Sequence, residues 1–500
     1  MDALQGIANG FGVALTGTNI LACFMGCLLG TIVGVLPGLG PIGAMALLIP
    51  STYTLGPTAA LIMLSGIFYG AMYGGSTTTI LLNVPGEAAS VVTAIDGYQM
   101  ARKGRAGAAL AVSAVASFVA GTLGVVALMF FAPMLAGLAL AFAAPEYCAL
   151  ALLGLIFLSQ LGGGSPLKSY LMVGLGLFLG TVGTDIVSGT TRFTLGQIEL
   201  SQGVDLIPVA MGLYGIGEVL LIAEKITGFP QLIKVRFQEL FPTVSEWKRA
   251  FPPMFRGGAL GFFMGLIPGP AVILSTFSAY ALEKKISKGP EEFGKGAIEG
   301  VAAPEAANNA ATAGTMVPLL ALGIPFAPPT AVLMGALTIH GVQPGPLLMK
   351  QSPDIFWGVI ASMYIGNVML LILNLPLVSV FSSILRLPQH LLMGVILVLC
   401  LVGTYSVNNS FLDIYILIGM GGLGYVLRKM KFDMAPLILA LVLGPMLEMN
   451  FRQALFMARG DMGFIFGRPI TAVLLGAGVA AIVGSSFLRW RAAGRNNVRV

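Results

Sequence analysis

The stretch "GTIVGVLPGLGP", Gly30 to Pro41, decides how the chain is read. Its surroundings are apolar enough for a bilayer, yet Pro37 and Gly38 interrupt it halfway. Continuing a helix through Pro37 would forfeit a backbone hydrogen bond and meet a ring clash, at a cost of about 3 kcal/mol or more. Hydrocarbon holds no water to repair such a break, so the freed N–H and C=O groups have to face protein or a wet cavity. A membrane segment that stops halfway is therefore a question about function.

The 500 residues are 56% hydrophobic and 10% charged, with a mean hydropathy of +0.91, which excludes an ordinary soluble fold. A spanning helix needs about 20 mostly apolar residues, and the runs of that kind, with the interrupted ones added, predict about twelve spans. The formal charge of +6 is read as marking cytoplasmic loops, with no nucleic acid as partner. The first basic residue is Arg102, so the N-terminus lacks the basic start of a cleaved signal and is expected in the mature chain. Cys23, Cys27, Cys148 and Cys400 all fall in apolar runs, where small buried hydrophobes are expected, with no metal and no disulfide.

The opening motif returns as "GFFMGLIPGP", Gly261 to Pro270, and both copies read G-x-x-x-G-x-x-P-G, so that Pro268 answers Pro37 at a displacement of 231. Gly56, Gly74 and Pro85 are answered by Gly296, Gly314 and Pro325, each displaced by 240. Pro145 faces Pro388, and Asp205-x-x-Pro208 faces Asp433-x-x-Pro436. The chain is read as an internal duplication, with a first membrane repeat over 1–223, a cytoplasmic linker over 224–256 and a second repeat over 257–500.

Basic loops give the orientation of the halves. "ARKGRAG" at 101–107 is basic, whereas its counterpart "QPGPLLMK" at 343–350 has only Lys350. Conversely, "EKKISKGPEEFGKG" at 283–296 carries four lysines and its counterpart "STYTLGP" at 51–57 carries no charge. Equivalent loops on opposite sides predict an all-α polytopic membrane protein built from two inverted-topology repeats. Only one apolar stretch separates the basic segment ending at Arg256 from the basic loop starting at Glu283. A re-entrant hairpin turning at Pro268-Gly269 keeps both ends on one side, and by symmetry Pro37-Gly38 turns its partner.

Two constellations carry polar chemistry. "AMYGGSTTTILLNVPGEAAS" at 71–90 sets Gly74, Gly75, Ser76, Thr77, Thr78 and Asn83 beside the break Pro85-Gly86-Glu87. Broken helices expose amide N–H groups to anions and carbonyls to cations, and the short hydroxyl and amide side chains suit carboxylate oxygens. Close helix packing is the plainer reading of the glycines. In the second half, "GVAAPEAANNAATAGTMVPLLALGIPFAPP" at 300–329 places Asn308 and Asn309 three and four residues after Glu305, on one helical face. An intramembrane carboxylate is a candidate cation ligand or proton carrier, and the alternative is a solvated helix end. Asp185, Glu218 and Glu448 stand isolated and are expected near interfaces. His340 and His390 lie near segment ends, which does not favour a metal. No phosphate loop, H-E-x-x-H or G-x-S-x-G is present, so no catalytic residues are assigned and no enzyme or cofactor is expected.

The segments at 73–104, 265–270 and 303–325 resemble the large membrane subunit of the tripartite tricarboxylate transporters, and the similarity runs through nearly the whole chain. The resemblance implies a multi-pass transporter of the bacterial inner membrane. It implies a small membrane subunit and a periplasmic substrate-binding protein as partners, and import of citrate or related carboxylates driven by a sodium or proton gradient. Matched residue by residue, it points to Gly38, Gly74, Gly75, Ser76, Asn83, Pro85, Gly86 and Glu87, and to Pro268, Gly269, Glu305, Asn308, Asn309, Gly323 and Pro325. Glu305 and Glu87 are the expected cation-coupling residues. Phe326 stands where the family carries a small residue, and a ring there is expected to narrow the site. The rival readings are a stand-alone carboxylate symporter and, further off, a channel or an intramembrane enzyme.

Overall fold

The computed structural model describes residues 3–36, 39–161, 165–185, 187–224, 240–377, 380, 389–459 and 461–496. Pro37, Gly38 and Pro388 lie outside the described residues. The first half contains α1 (Ala3–Ala14), α2 (Gly17–Val35), α3 (Gly40–Leu48), α4 (Pro57–Leu82), α5 (Val91–Met100), α6 (Ala106–Ala139), α7 (Ala144–Leu161), α8 (Pro166–Gly180) and α9 (Leu206–Glu224). The second contains α10 (Val244–Gly265), α11 (Ala271–Ile286), α12 (Glu299–Leu322), α13 (Pro328–Ile339), α14 (Pro353–Asn374), α15 (Gln389–Asn408), α16 (Phe411–Lys429), α17 (Ala435–Ala458) and α18 (Pro469–Asn496). The chain is an all-α polytopic membrane protein: among the described residues eight helices are long and apolar enough to cross a membrane, and five more apolar helices are shorter. A two-stranded antiparallel ribbon pairs Gly183 with Arg192 and Thr184 with Thr191 between α8 and α9.

Two glycine ladders hold the centre. On α2, a Cβ on Gly26, Gly30 or Gly34 would stand 2.2–2.4 Å from the carbonyl oxygens of Met63, Ile67 and Ala71 on α4. On α10, Gly257, Gly261 and Gly265 meet the carbonyls of Ala303, Ala307 and Ala311 on α12 at 2.3–2.4 Å. The glycines recur at 231 and their partners at 240, the two displacements of the motifs. Without a hydrophobic drive between helices in lipid, such backbone contact is the main source of packing energy. The wrapping helices cross over between halves: α6 packs on α10 and α12, whereas α14 packs on α2 and α4. Helices α4 and α12 are consequently enclosed on all sides, buried over 59–81 and 300–322 respectively. A helix enclosed by protein need not be apolar, and α12 holds Glu305, Asn308 and Asn309 in that shelter.

The segment expected as a linker is helical in its described C-terminal part, because α10 begins at Val244 with a Thr243–Glu246 capping box. Arg256, midway along α10, bonds Glu283 near the outer end of α11 at 2.7 and 2.8 Å, so α11 runs back along α10 from a turn at 266–270. Lys103 donates to the Lys295 carbonyl at 2.6 Å and Arg105 to Glu246 at 2.6 Å, which gathers the basic segments onto one face. At the outer ends of α3 and α13, Thr52 and His340 are 3.1 Å apart.

The acids expected to stand alone do not. Arg452 donates to Asp185 at 2.8 Å and to Glu448 at 2.6 Å, and Arg192 reaches Glu448 at 2.9 Å, which ties the ribbon to α17. The Arg452 hydrogen bond, helped by the amides of Ser188 and Val187, holds the Asp185 carboxyl well below its usual range. Glu218 pairs with Arg428. Apart from Arg452, one turn after Glu448 on α17, the partners lie more than 200 positions away and leave no local signal in the sequence.

Candidate substrate-binding site

Residues that follow the first interruption and residues of the second line one cavity of about 540 Å³. Gly40 and Pro41 at the start of α3, Ala271 and Val272 at the start of α11, and Pro328 and Pro329 at the start of α13 all line it. The first N–H groups of a helix have no intrahelical acceptor, and the macrodipole adds partial positive charge there. On α11 these groups belong to Ala271, Val272 and Ile273, all three on the cavity wall. Arg428 is the one basic side chain among the described lining residues, and it lies 5.7 Å from the centre of the Tyr214 ring, also on the wall. The free N–H groups at the starts of α3 and α11 and the Arg428 guanidinium favour an anion, while α13, starting Pro328-Pro329, adds only its dipole and the carboxylates of Glu87 and Asp433 share the wall.

Of the residues expected to bind substrate, Pro85, Gly86 and Gly269 line this cavity, as does Glu87. The Gly269 amide donates to the Phe326 carbonyl at 2.9 Å, which joins the two broken segments of the second half, and Gly269 adopts φ 124°, where a side chain would be strained. The Phe326 ring is 5% exposed, packed in the core and not on the cavity wall, so it does not narrow the site.

The other expected residues serve the frame. Gly74 packs on the Thr31 carbonyl and Gly75 on Glu87. Thr77 is buried within α4. Asn83 and Gly323, 240 apart, terminate α4 and α12 in the left-handed conformation at φ 58° and 69°. Pro268 and Pro325 are buried and absent from the lining. Gly38 lies outside the described residues. These residues do not touch the cavity because small side chains and helix stops set where the chain turns rather than what it presents.

Glu305, Asn308 and Asn309 do not act as one set. The Glu305 carboxylate is 1% exposed and accepts from Ser76 at 2.6 Å, Thr93 at 2.5 Å and, more weakly, Ser117 at 3.4 Å. Its hydroxyl donors come from α4, α5 and α6, and the solvated helix end is not what is observed. Asn308 Nδ2 donates to Glu87 Oε1 at 2.7 Å, while Asn309 turns back to the Glu305 carbonyl at 3.1 Å. The buried Glu305 and the half-buried Glu87 are thus each held by the opposite half of the chain.

Sequence reasoning missed Arg428, Tyr214 and Asp96. The Asp96 carboxylate is fully buried and accepts from the amides of Gly294, Gly296 and Ala297 at 2.7–2.8 Å and from Tyr280 Oη at 2.9 Å. Gly294 and Gly296 adopt φ 83° and 105° to aim those amides. Asp96 thereby fixes α5, whose Thr93 holds Glu305, to the segment that starts α12. Asp96→Ala removes the acceptor of three amides, of which that of Ala297 is buried, and a buried unpaired group costs about 1–3 kcal/mol. Thermal unfolding in detergent is expected to show a loss of about 1–3 kcal/mol, with Asp96→Asn losing less.

Residues 20–439 match the family model described as the tripartite tricarboxylate transporter TctA family. An Agrobacterium vitis protein described as an uncharacterized 52.8 kDa protein in the TAR-I ttuC' 3' region is 48% identical over 483 residues, 97% of this chain and 96% of its own length. A second protein of that organism, described as uncharacterized and in the TAR-II ttuC' 3' region, is 46% identical over 223 residues, 45% of this chain and 92% of its own. No solved structure matches the chain. The family match includes both Pro-Gly interruptions, the buried carboxylates and the cavity between them, and the chain belongs to the tripartite tricarboxylate transporter TctA family.

Proposed function

We propose that the chain is the large membrane subunit of a binding-protein-dependent secondary transporter that imports tricarboxylates or related carboxylates across the bacterial inner membrane. The observation that carries this reading is the cavity where α3, α11 and α13 start beside Arg428, a match for a small polyanion. The recurrence of the glycine ladders at 231 and 240 supports two repeats of inverted topology, over 1–223 and 257–500. The basic face gathering 101–105 and 283–299 supports its assignment as cytoplasmic. A small membrane subunit and a periplasmic binding protein are the partners, as the family description implies.

Moving a polyanion inward against the membrane potential costs about 2.3 kcal/mol per charge per 100 mV, so several cations accompany it. Sodium or protons supply that charge, and Glu305, buried among hydroxyls, and Glu87, half-buried on the cavity wall, are the carboxylates placed to respond to them. The test is uptake of labelled citrate into proteoliposomes holding the chain and its small subunit, with binding protein outside and with sodium, proton and electrical gradients imposed separately. Accumulation that follows one cation gradient and needs the binding protein is expected. Equilibration that ignores ionophores would make the protein a channel and contradict the reading.

A further inference from the structure

The pair Glu87–Asn308 has a property that Glu305 lacks. Asn308 is 1% exposed, and its amide nitrogen is committed to the Glu87 carboxylate at 2.7 Å. That donor fixes which way the amide points, and its Oδ1 is left buried with no hydrogen-bond partner among the described residues. A buried carbonyl oxygen without a donor costs about 1–3 kcal/mol. The Glu305 carboxylate, by contrast, already accepts from Ser76, Thr93 and Ser117.

A carbonyl oxygen also lies close to the backbone that carries Glu87. Gly86, immediately before Glu87, approaches the last turn of α2 so closely that a Cβ would stand 2.7 Å from the Gly34 carbonyl oxygen and 3.1 Å from that of Gly75. Carbonyls in the last turn of a helix lack intrahelical donors and carry the negative end of the dipole. An unsatisfied amide oxygen, a carboxylate and a helix C-terminal carbonyl are hard oxygen ligands. One carboxylate balances one positive charge.

From this geometry we infer a binding site for a sodium-sized monovalent cation between Asn308 Oδ1 and the Glu87 carboxylate, on the inner wall of the cavity. This rests on the transport reading for its meaning, since it places the coupling ion at Glu87 and leaves Glu305 as a structural carboxylate held by hydroxyls. The duplication sharpens it: 240 positions away, Glu87 corresponds to Ala327 and Asn308 to Phe68. The repeat offers no second copy of these side-chain oxygens, and this site binds one ion per chain. Glu87 also lines the cavity, so a bound ion would complete the wall that faces the substrate.

The test uses purified full-length protein in detergent with sodium chloride exchanged for choline chloride at constant ionic strength. A saturable, sodium-dependent rise in the unfolding temperature is expected, together with retention of at least one radiolabelled sodium ion per chain. Asn308→Ala is expected to weaken the sodium response at least tenfold, and Glu87→Gln to remove it. No sodium response in the wild type, a response of Asn308→Ala within twofold of the wild type, or stabilisation by acid alone would each overturn the site. Should the variants fail to fold, the wild-type sodium retention decides. Binding is read without uptake, so a protein that binds sodium here but carries no carboxylate would refute the transport reading and leave the site standing.

Discussion

Gly261→Val is expected to leave almost no folded protein. A Cβ at this position would sit 2.3 Å from the Ala307 carbonyl oxygen, and a rigid helix backbone cannot yield as a side chain can. Separating α10 from α12 would break the contact along Gly257, Gly261 and Gly265 together, at a cost of about 4 kcal/mol or more. Gly30→Val is expected to do the same to α2 and α4, where the Ile67 carbonyl is 2.4 Å from the added carbon. Gly419→Val is the control: it is exposed on α16 and a Cβ there meets nothing within 4 Å. Size-exclusion profiles and thermal unfolding of the three variants check this, with the control close to wild type. A Gly261→Val protein as stable as the control would remove the ladders from the account.

The second large effect concerns Arg428. Hydrogen bonds to charged groups contribute about 1.5–3 kcal/mol, and each 1.4 kcal/mol is tenfold in affinity. Arg428→Gln is therefore expected to raise the KM for a tricarboxylate about 10- to 100-fold. Arg428→Lys should recover part of this, because an ammonium keeps the charge and loses the planar fork. Arg428 also pairs with Glu218, which is 8% exposed, so the single change strands a buried carboxylate. The double variant Arg428→Gln, Glu218→Gln separates the two effects. The part of the KM increase that survives in it belongs to the substrate, and a full recovery would make Arg428 a purely structural ion-pair partner.

Much of the frame was legible in the sequence, for a physical reason. A backbone that packs within van der Waals contact of another demands glycine, and a helix that stops in the membrane demands Pro-Gly, so both leave residue-type signatures at fixed spacing. The displacements of 231 and 240 read from the motifs recur in the packing of Gly30 on Ile67 and Gly261 on Ala307. Contacts between side chains distant in sequence leave no such signature. Asp96 meets amides some 200 positions on, Arg428 meets Glu218 across the halves, and α6 and α14 cross over, none of which periodicity encodes. The triad of Glu305, Asn308 and Asn309 was placed on one helical face, but α12 is surrounded on every side. Positions one turn apart on a helix then face different neighbours, which is why Glu305 meets hydroxyls while Asn308 meets Glu87.

Whether a carboxylate occupies the cavity between the mirrored breaks is tested most directly by protection of a single cysteine at Ala88, exposed on the cavity wall beside Glu87. The four native cysteines are buried and free, so Ala88→Cys provides the reactive thiol. The rate of its modification by a charged thiol reagent is measured against citrate concentration in protein reconstituted with its small subunit. The account predicts that labelling slows at least several-fold, with half-protection at the concentration that half-saturates uptake. Unchanged labelling under citrate that saturates uptake would place the substrate elsewhere and contradict it.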